Sequence, residues 1–323
     1  MSTGAAQAST NLVGAFCAMG AAVFFSINDM AIKFLSDGYA LHQVVLIRSV
    51  VGLAFWAAFI MPFSGGLRVM HTKRLGMHLL RGLCVVLANM TFFLGLAVLP
   101  LADAVAIFFV SPLIITVFSV VFLGERVGPW RWAAIAVGLV GVAVMMRPGS
   151  GSFQLAALLP VLAATGYALL HTLTRKIGGT ESAATMLFYI QLTFIASSGL
   201  IGLALGDGRF AGNAHPSIEF LTRAWIVPET ADLWLLLTIG LGSAGGGYLI
   251  SQAYRLSEAA FAAPFEYLAM PLAILWGVTV FGEWPDQVAW AGIALIVGSG
   301  LVLIWRETVK HRRTVADTPR LRR

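Results

Sequence analysis

Four ionisable side chains stand inside long apolar stretches of the sequence: Asp29, Arg48, His171 and Glu266. A charged group is costly in an apolar setting and usually faces water or a partner, so each is a candidate for binding a polar solute. Asp29 and Arg48 have matching depths, which favours an ion pair between them. A purely structural pair, or side chains that snorkel toward lipid headgroups, is the alternative interpretation.

Glu266 stands between Pro264 and Pro271, whose missing amide donors can kink or unwind a helix. A carboxylate beside exposed carbonyl groups could bind a substrate amine or a proton. The alternative is that Glu266 lies near a helix end, where water reaches it. Pro112, which follows Ser111, is the counterpart break earlier in the chain.

Neutral polar and aromatic residues could complete the same site. Tyr167 and His171 lie one turn apart and should share a helix face, although a lone buried histidine is more often a packing residue than a proton relay. The remaining candidates for substrate binding are Phe24, Asn28, Asn89, Gln191, Tyr248 and Gln252. Most phenylalanines of a helical bundle simply pack or face lipid, so any one of them is a weak candidate.

Two Gly-Glu turns end apolar stretches at Glu125 and Glu283. We interpret these glutamates as capping or hinge residues, with a gate role as the alternative, alongside Pro112, Pro264 and Pro271. The two cysteines lie in apolar runs and do not make a metal site. The sequence shows neither a cofactor motif nor a dense catalytic constellation, so we expect neither a cofactor nor an enzyme.

The elements that must position these residues are membrane-spanning helices. The 323 residues are 59% hydrophobic and 11% charged, with a mean hydropathy of +0.85, far from the roughly 25% charged residues of soluble domains. Apolar runs and their Gly and Pro breaks predict an all-α membrane protein with ten transmembrane helices. These are residues 12–35, 41–61, 78–99, 101–123, 129–147, 154–175, 183–205, 232–254, 259–282 and 287–305.

The basic residues predict the orientation of the helices. With both termini in the cytoplasm, most of the 21 Lys and Arg residues fall on the cytoplasmic side, including those of the tail after Trp305. The net charge of +6 is therefore a topology signal for a multi-pass protein of the bacterial inner membrane. We expect the lipid bilayer as a partner and no nucleic acid.

The chain also repeats itself. Glu125 and Glu283 each precede a tryptophan at the same spacing, Trp132 and Trp290, and Phe24 and Asn28 match Tyr167 and His171 at one constant offset. The repeat predicts a first five-helix unit at 1–150, a second at 151–306 and a basic cytoplasmic tail at 307–323. Because five is odd, the second unit is inverted in the membrane, with a central cavity between the two. The alternative is that apolar helices merely resemble one another.

The segments LPLADAVAIFFVSPL and APFEYLAMP and the two Gly-Glu turns resemble the drug/metabolite transporter superfamily, specifically its ten-helix EamA-type members. Within that superfamily they are similar to the bacterial group that contains YddG-type amino-acid exporters, S-adenosylmethionine carriers and riboflavin carriers. The resemblance implies a basket-shaped helical bundle and transport without ATP hydrolysis by the chain.

We therefore expect an inner-membrane secondary transporter of small metabolites that works by alternating access. The residues indicate a small polar metabolite, and the resemblance specifies export or facilitated diffusion of an amino acid or similar zwitterion. Uptake of S-adenosylmethionine or riboflavin is the alternative, and a channel is a further one. A monomer is among the assemblies that the sequence allows.

Overall fold

The computed structural model describes residues 2–123, 128–146, 155–257 and 263–316. Every regular element in these ranges is helical. The α-helices are α1 (Ser2–Leu35), α2 (Leu41–Phe55), α3 (Leu75–Leu96), α4 (Leu101–Phe108), α5 (Ser111–Leu123), α6 (Pro129–Met146), α7 (Leu158–Ile177), α8 (Ala183–Leu205), α9 (Pro216–Thr222), α10 (Leu233–Leu256), α11 (Ala269–Phe281) and α12 (Gln287–Ala316).

Seven helical stretches of the described residues are long and apolar enough to cross a membrane. They are Leu12–Leu35, Leu41–Ile60, Leu75–Leu96, Leu101–Phe122, Leu155–Ile177, Ala183–Leu205 and Leu233–Leu256, and shorter apolar helices lie at Trp132–Met146, Phe265–Phe281 and Gln287–Val302. Their outer faces carry large exposed apolar side chains such as Phe16 and Leu203. Such faces suit lipid and not water, in agreement with the predicted all-α membrane class.

Two of the predicted helices are interrupted. Residues 101–123 were expected as one helix, but α4 ends at Phe108 and α5 begins at Ser111, immediately before Pro112. Proline lacks an amide donor and clashes with the preceding turn, which explains the break. Likewise a 3-10 turn, Ala263–Leu268, precedes α11 and contains Glu266.

The stretch 206–232, which lies between two of the predicted helices, contains α9 and packs across one end of the bundle. We refer to it as the end cap. Tyr39 donates a 2.6 Å hydrogen bond to Asp232, and Arg223 donates one of 2.8 Å to the Ser36 carbonyl. The Asn213 and Gly212 amides donate to the Glu219 carboxylate, which lowers the pKa of Glu219. The end cap is thus tied by polar contacts to the connection between α1 and α2.

The helices pack in a regular set of pairs. Helix α1 packs on α10 and α3 on α7, while α2 packs on α10 and α3 on α8. Three further pairs join α2 to α8, α4 to α11 and α6 to α12. Glycine permits the closest contacts between helices. A Cβ at Gly246 of α10 would lie 2.8 Å from the Phe25 ring of α1, which is too close for an unstrained contact.

Candidate functional site

A cavity lies among helices α1, α2, α3, α4, α7, α8, α10 and the turn before α11. Eight of the residues predicted to bind substrate line it: Asn28, Asp29, Arg48, Asn89, Tyr167, His171, Gln191 and Glu266. They come from helices far apart in the chain, and the packing of α1 on α10 and α3 on α7 brings them together. Their role in binding stays a prediction.

The structure does not place Phe24, Tyr248 or Gln252 on this wall. One residue corresponds to about 100° around a helix, so Phe25 faces the cavity while Phe24 is 39% exposed. Gln252 donates a 3.1 Å hydrogen bond to the Tyr248 hydroxyl, one turn away on α10. The side chains of Tyr248 and Gln252 therefore hydrogen-bond to each other outside the cavity.

Arg48 is held by a neutral partner and by aromatic rings. Its Nη2 donates to Asn89 Oδ1 at 3.1 Å, and its guanidinium lies 5.5 Å from the ring centre of Phe93 and 4.8 Å from that of Phe194. The expected ion pair with Asp29 is absent from the salt bridges of the described residues, although the two charges still attract each other. Amide and ring contacts thus replace a direct carboxylate contact.

Glu266 is the centre of a second polar cluster. The Tyr167 hydroxyl donates to its Oε2 and the Tyr254 hydroxyl to its Oε1. The His171 ring lies between the two phenols, with ring centres 4.1 Å from Tyr167 and 4.0 Å from Tyr254. Three elements, α7, α10 and the turn before α11, therefore meet at one carboxylate.

Sequence reasoning missed Arg81, which also lines the cavity. It is 1% exposed, and its Nε donates to Thr174 Oγ1 of α7 at 3.0 Å. Because it lies close to the start of α3, the charge pattern of the sequence predicts a solvated cytoplasmic residue at this position. An arginine one turn inside an apolar helix, followed by a charge-free run, was the signal that could have identified it.

Much of the rest of the wall is aromatic. Phe25, Phe92, Phe93, Phe108, Phe109 and Phe194 line it together with Tyr167 and His171. Phe108 packs against Phe92 and Tyr167, with ring centres 5.1 and 5.0 Å apart. The wall therefore offers aromatic side chains against which a planar ring could stack.

Several buried polar atoms around this cavity have no hydrogen-bond partner within the described residues. They are Asn28 Oδ1, Arg48 Nε, Arg81 Nη1, both ring nitrogens of His171 and both amide atoms of Gln191. An unpaired buried polar atom costs roughly 1–3 kcal/mol. A solute with several donors and acceptors would recover part of that cost on binding.

Three of the predicted hinge or gate residues, Pro112, Pro271 and Glu283, are not among the residues that line the cavity. Glu283 forms a 3.0 Å ion pair with Lys33 and accepts a 3.0 Å hydrogen bond from the Leu101 amide. Pro112 is in the first turn of α5, Pro264 in the 3-10 turn and Pro271 in the first turn of α11, whereas Glu125 lies outside the described residues. A hinge or gate role for these residues stays a prediction.

Comparison with known proteins identifies the family. Residues 12–147 match the EamA-like transporter family. The chain is 32% identical to a riboflavin transporter of Rhizobium johnstonii over 96% of both chains. It is 32% identical to a riboflavin transporter of Vibrio cholerae, over 94% of this chain and 96% of that one.

A more distant relative is an S-adenosylmethionine uptake transporter of Rickettsia prowazekii, 26% identical over 87% of this chain and 89% of that one. A protein of known crystal structure has the same fold, with a TM-score of 0.65 at 20% identity over 95% of this chain and 99% of that chain. From these full-length matches and the helical fold, the chain belongs to the EamA-like transporter family of the drug/metabolite transporter superfamily.

Proposed function

We propose that this chain is a secondary carrier that takes up riboflavin across the bacterial inner membrane. Two of the relatives described above are named riboflavin transporters and the third an S-adenosylmethionine uptake transporter, whereas none of the three is named an amino-acid exporter. Of the two expectations from sequence, uptake of riboflavin or S-adenosylmethionine therefore has more support than export of an amino acid. The expectation of a small-metabolite carrier is kept, with a different substrate.

The aromatic wall is the observation that carries this proposal. Riboflavin has a planar three-ring system with hydrogen-bonding edges and a polar chain, so it needs both ring faces and scattered donors and acceptors. Phe92, Phe108 and Tyr167 offer the ring faces, while Asn28 and Gln191 offer unpaired amide atoms. A small zwitterion would leave most of the rings without contacts.

The charges of the wall favour an uncharged solute. Two carboxylates, Asp29 and Glu266, face the same cavity as two guanidiniums, Arg48 and Arg81, so the formal charges balance. Riboflavin is neutral and leaves this balance unchanged. S-adenosylmethionine remains a second candidate, because its sulfonium could pair with Glu266, which forms no salt bridge among the described residues.

For the architecture we propose ten spans in two inverted units, 1–150 and 151–306, with a basic tail at 307–323 and both termini in the cytoplasm. The helix pairs support it. In the two units the counterparts are α1 and α7, α2 and α8, α3 and α10, α4 and α11, and α6 and α12. Exchanging each helix for its counterpart turns the α1–α10 contact into the α7–α3 contact, and the α2–α10 contact into the α8–α3 contact. The pairs α2–α8, α4–α11 and α6–α12 map onto themselves. Such an arrangement suits alternating access by a single chain, with Pro112, Glu125, Pro264, Pro271 and Glu283 as hinge or gate residues.

Counterflow in proteoliposomes tests the substrate. Vesicles preloaded with unlabelled riboflavin should take up labelled riboflavin faster than empty ones, and the rate should saturate. Excess S-adenosylmethionine or amino acid should not compete. Saturable exchange of either competitor without exchange of riboflavin would refute the substrate, and linear flux of every solute would indicate a channel.

A matched pair of variants tests the aromatic wall. Phe108→Ala removes a wall ring and should raise the riboflavin concentration for half-maximal uptake roughly tenfold, equivalent to about 1.4 kcal/mol. Phe16→Ala removes a ring that is 62% exposed on the outer face of α1 and should leave uptake unchanged. Equal effects of the two substitutions would argue against stacking in this cavity.

A further inference from the structure

The Glu266 cluster contains a carboxylate whose partners are all uncharged. Its two oxygens each accept one phenol hydrogen bond, from Tyr167 and from Tyr254. No salt bridge among the described residues includes Glu266. Within a membrane bundle such a group needs a cation or a proton to neutralise it.

The cations that face the same cavity have other partners. Arg48 of α2 donates to Asn89, and Arg81 of α3 donates to Thr174. The other ionisable groups nearby are Asp29 of α1, His171 of α7 and Tyr267 on the same turn as Glu266, whose hydroxyl points to the Phe109 carbonyl. None of these supplies a fixed positive charge to the carboxylate.

The proposed substrate does not supply a positive charge either, since riboflavin has no cationic group. We propose that Glu266, held by Tyr167 and Tyr254, is a proton-binding site that couples riboflavin uptake to a proton gradient. The proposal rests on the proposed function, because a sulfonium substrate could neutralise the same carboxylate. A proton would bind from the outer side with the substrate and leave on the inner side.

The phenols allow the carboxyl group to exist in both protonation states. A tyrosine hydroxyl both donates and accepts, so it can donate to a carboxylate oxygen and accept from a carboxylic acid. Tyr167 and Glu266 also line the substrate cavity. A bound flavin at this wall and a proton on Glu266 are therefore neighbours, which is the arrangement that coupling requires.

The test uses purified full-length protein in vesicles that enclose a pH-sensitive dye. Counterflow at equal pH reports the carrier alone. With acid outside, wild-type uptake should rise several-fold and riboflavin should transiently accumulate, with acidification of the interior that depends on riboflavin. A protonophore should abolish the accumulation but not the counterflow.

Glu266→Gln keeps the shape of the side chain but cannot take up or release the proton. Its uptake should no longer respond to the pH gradient, and its riboflavin affinity should be independent of pH, whereas wild-type affinity falls as the pH rises. Glu229→Gln, the same substitution at an exposed position of the end cap, should behave like wild type in both assays.

The outcomes separate the two proposals. Absence of riboflavin counterflow at equal pH would overturn the proposed substrate and the coupling with it. Counterflow with no response to the pH gradient, or with a response that Glu266→Gln retains, would overturn the coupling alone. A response to a sodium gradient at equal pH would also overturn it, since the coupling ion would then be sodium.

Discussion

At the scale of single residues, Arg81 is a charge within a membrane helix that forms no ion pair with any residue the structure describes. The Thr174 hydroxyl gives its own proton to the Leu170 carbonyl at 2.8 Å, which leaves a lone pair free for Arg81 Nε. The hydrogen bond to Thr174 thereby fixes the Nε atom of the Arg81 guanidinium. Its Nη1 atom remains unpaired at the cavity.

Thr174→Val should weaken substrate binding, because it removes the acceptor that orients this guanidinium. A hydrogen bond to a charged group contributes about 1.5 kcal/mol, so riboflavin affinity should fall roughly tenfold. Titration of the purified protein by flavin fluorescence measures this. The control is Thr165→Val on the same helix, since the Thr165 hydroxyl bonds the Val161 carbonyl and no other group in the described part of the chain. An equal loss in both variants would contradict the role of Thr174.

Single residues were predictable from sequence where their chemistry conflicts with their surroundings. Asp29 and Glu266 are charges in apolar runs, so they could be recognised without knowing the fold. Phe24 was predicted at the site and Phe25 was not, because a sequence that is mostly apolar does not fix the rotation of a helix to within one residue. Arg81 was missed because a charge close to a helix end is usually solvated.

At the scale of elements, Lys33 and Glu283 link the end of α1, the connection between α3 and α4 and the connection between α11 and α12. Lys33, in the last turn of α1, forms a 3.0 Å ion pair with Glu283 and donates a 2.7 Å hydrogen bond to the Leu99 carbonyl. Glu283 in turn accepts from the Leu101 amide. Gly282 has a φ of 66°, a left-handed conformation that ends α11 and directs Glu283 toward this contact.

Reversing one charge should break this contact, and reversing both should restore it. We expect Lys33→Glu to lower the melting temperature and the uptake rate through repulsion from Glu283. The double variant with Glu283→Lys should recover a coupling of about 1 kcal/mol. Thermal unfolding and vesicle uptake of the four proteins complete the cycle, and additive losses would show that the pair does not couple these elements.

The helices were more predictable than what lies between them. Long apolar runs bounded by Gly and Pro predicted the seven long apolar helical stretches of the described residues within a few residues, because the bilayer dictates length and composition. Helix α9 was not expected: it is only seven residues long, and contacts such as Ser217 to the Leu94 carbonyl hold it in place. Tertiary contacts of that kind leave no periodic pattern in the sequence.

At the scale of the whole molecule, the positions of the basic residues predict that both termini lie in the cytoplasm. In a variant whose native cysteines are replaced, a thiol at Asn213 should react with an impermeant reagent applied to intact cells. One at Thr314 should react only after the cells are opened. Labelling in the reverse order would place the termini on the outer side.

The family was also easier to predict than the substrate. The Gly-Glu turns and the Pro-containing segments are local in the chain and specify the bundle. The cavity wall is not local: Asn28, Arg81, Gln191 and Glu266 meet only after α1, α3, α8 and the turn before α11 have packed. For that reason the sequence indicated a carrier but pointed to amino acids.

The balanced wall charges have an electrical consequence. If riboflavin is neutral and the four charged side chains of the wall cancel, the loaded site moves no charge of its own, and the co-transported proton carries the only current. An inside-negative membrane voltage would then drive uptake by roughly 2.3 kcal/mol per 100 mV for each proton. Turnover could be followed as a riboflavin-dependent current across a planar bilayer, without any label on the vitamin.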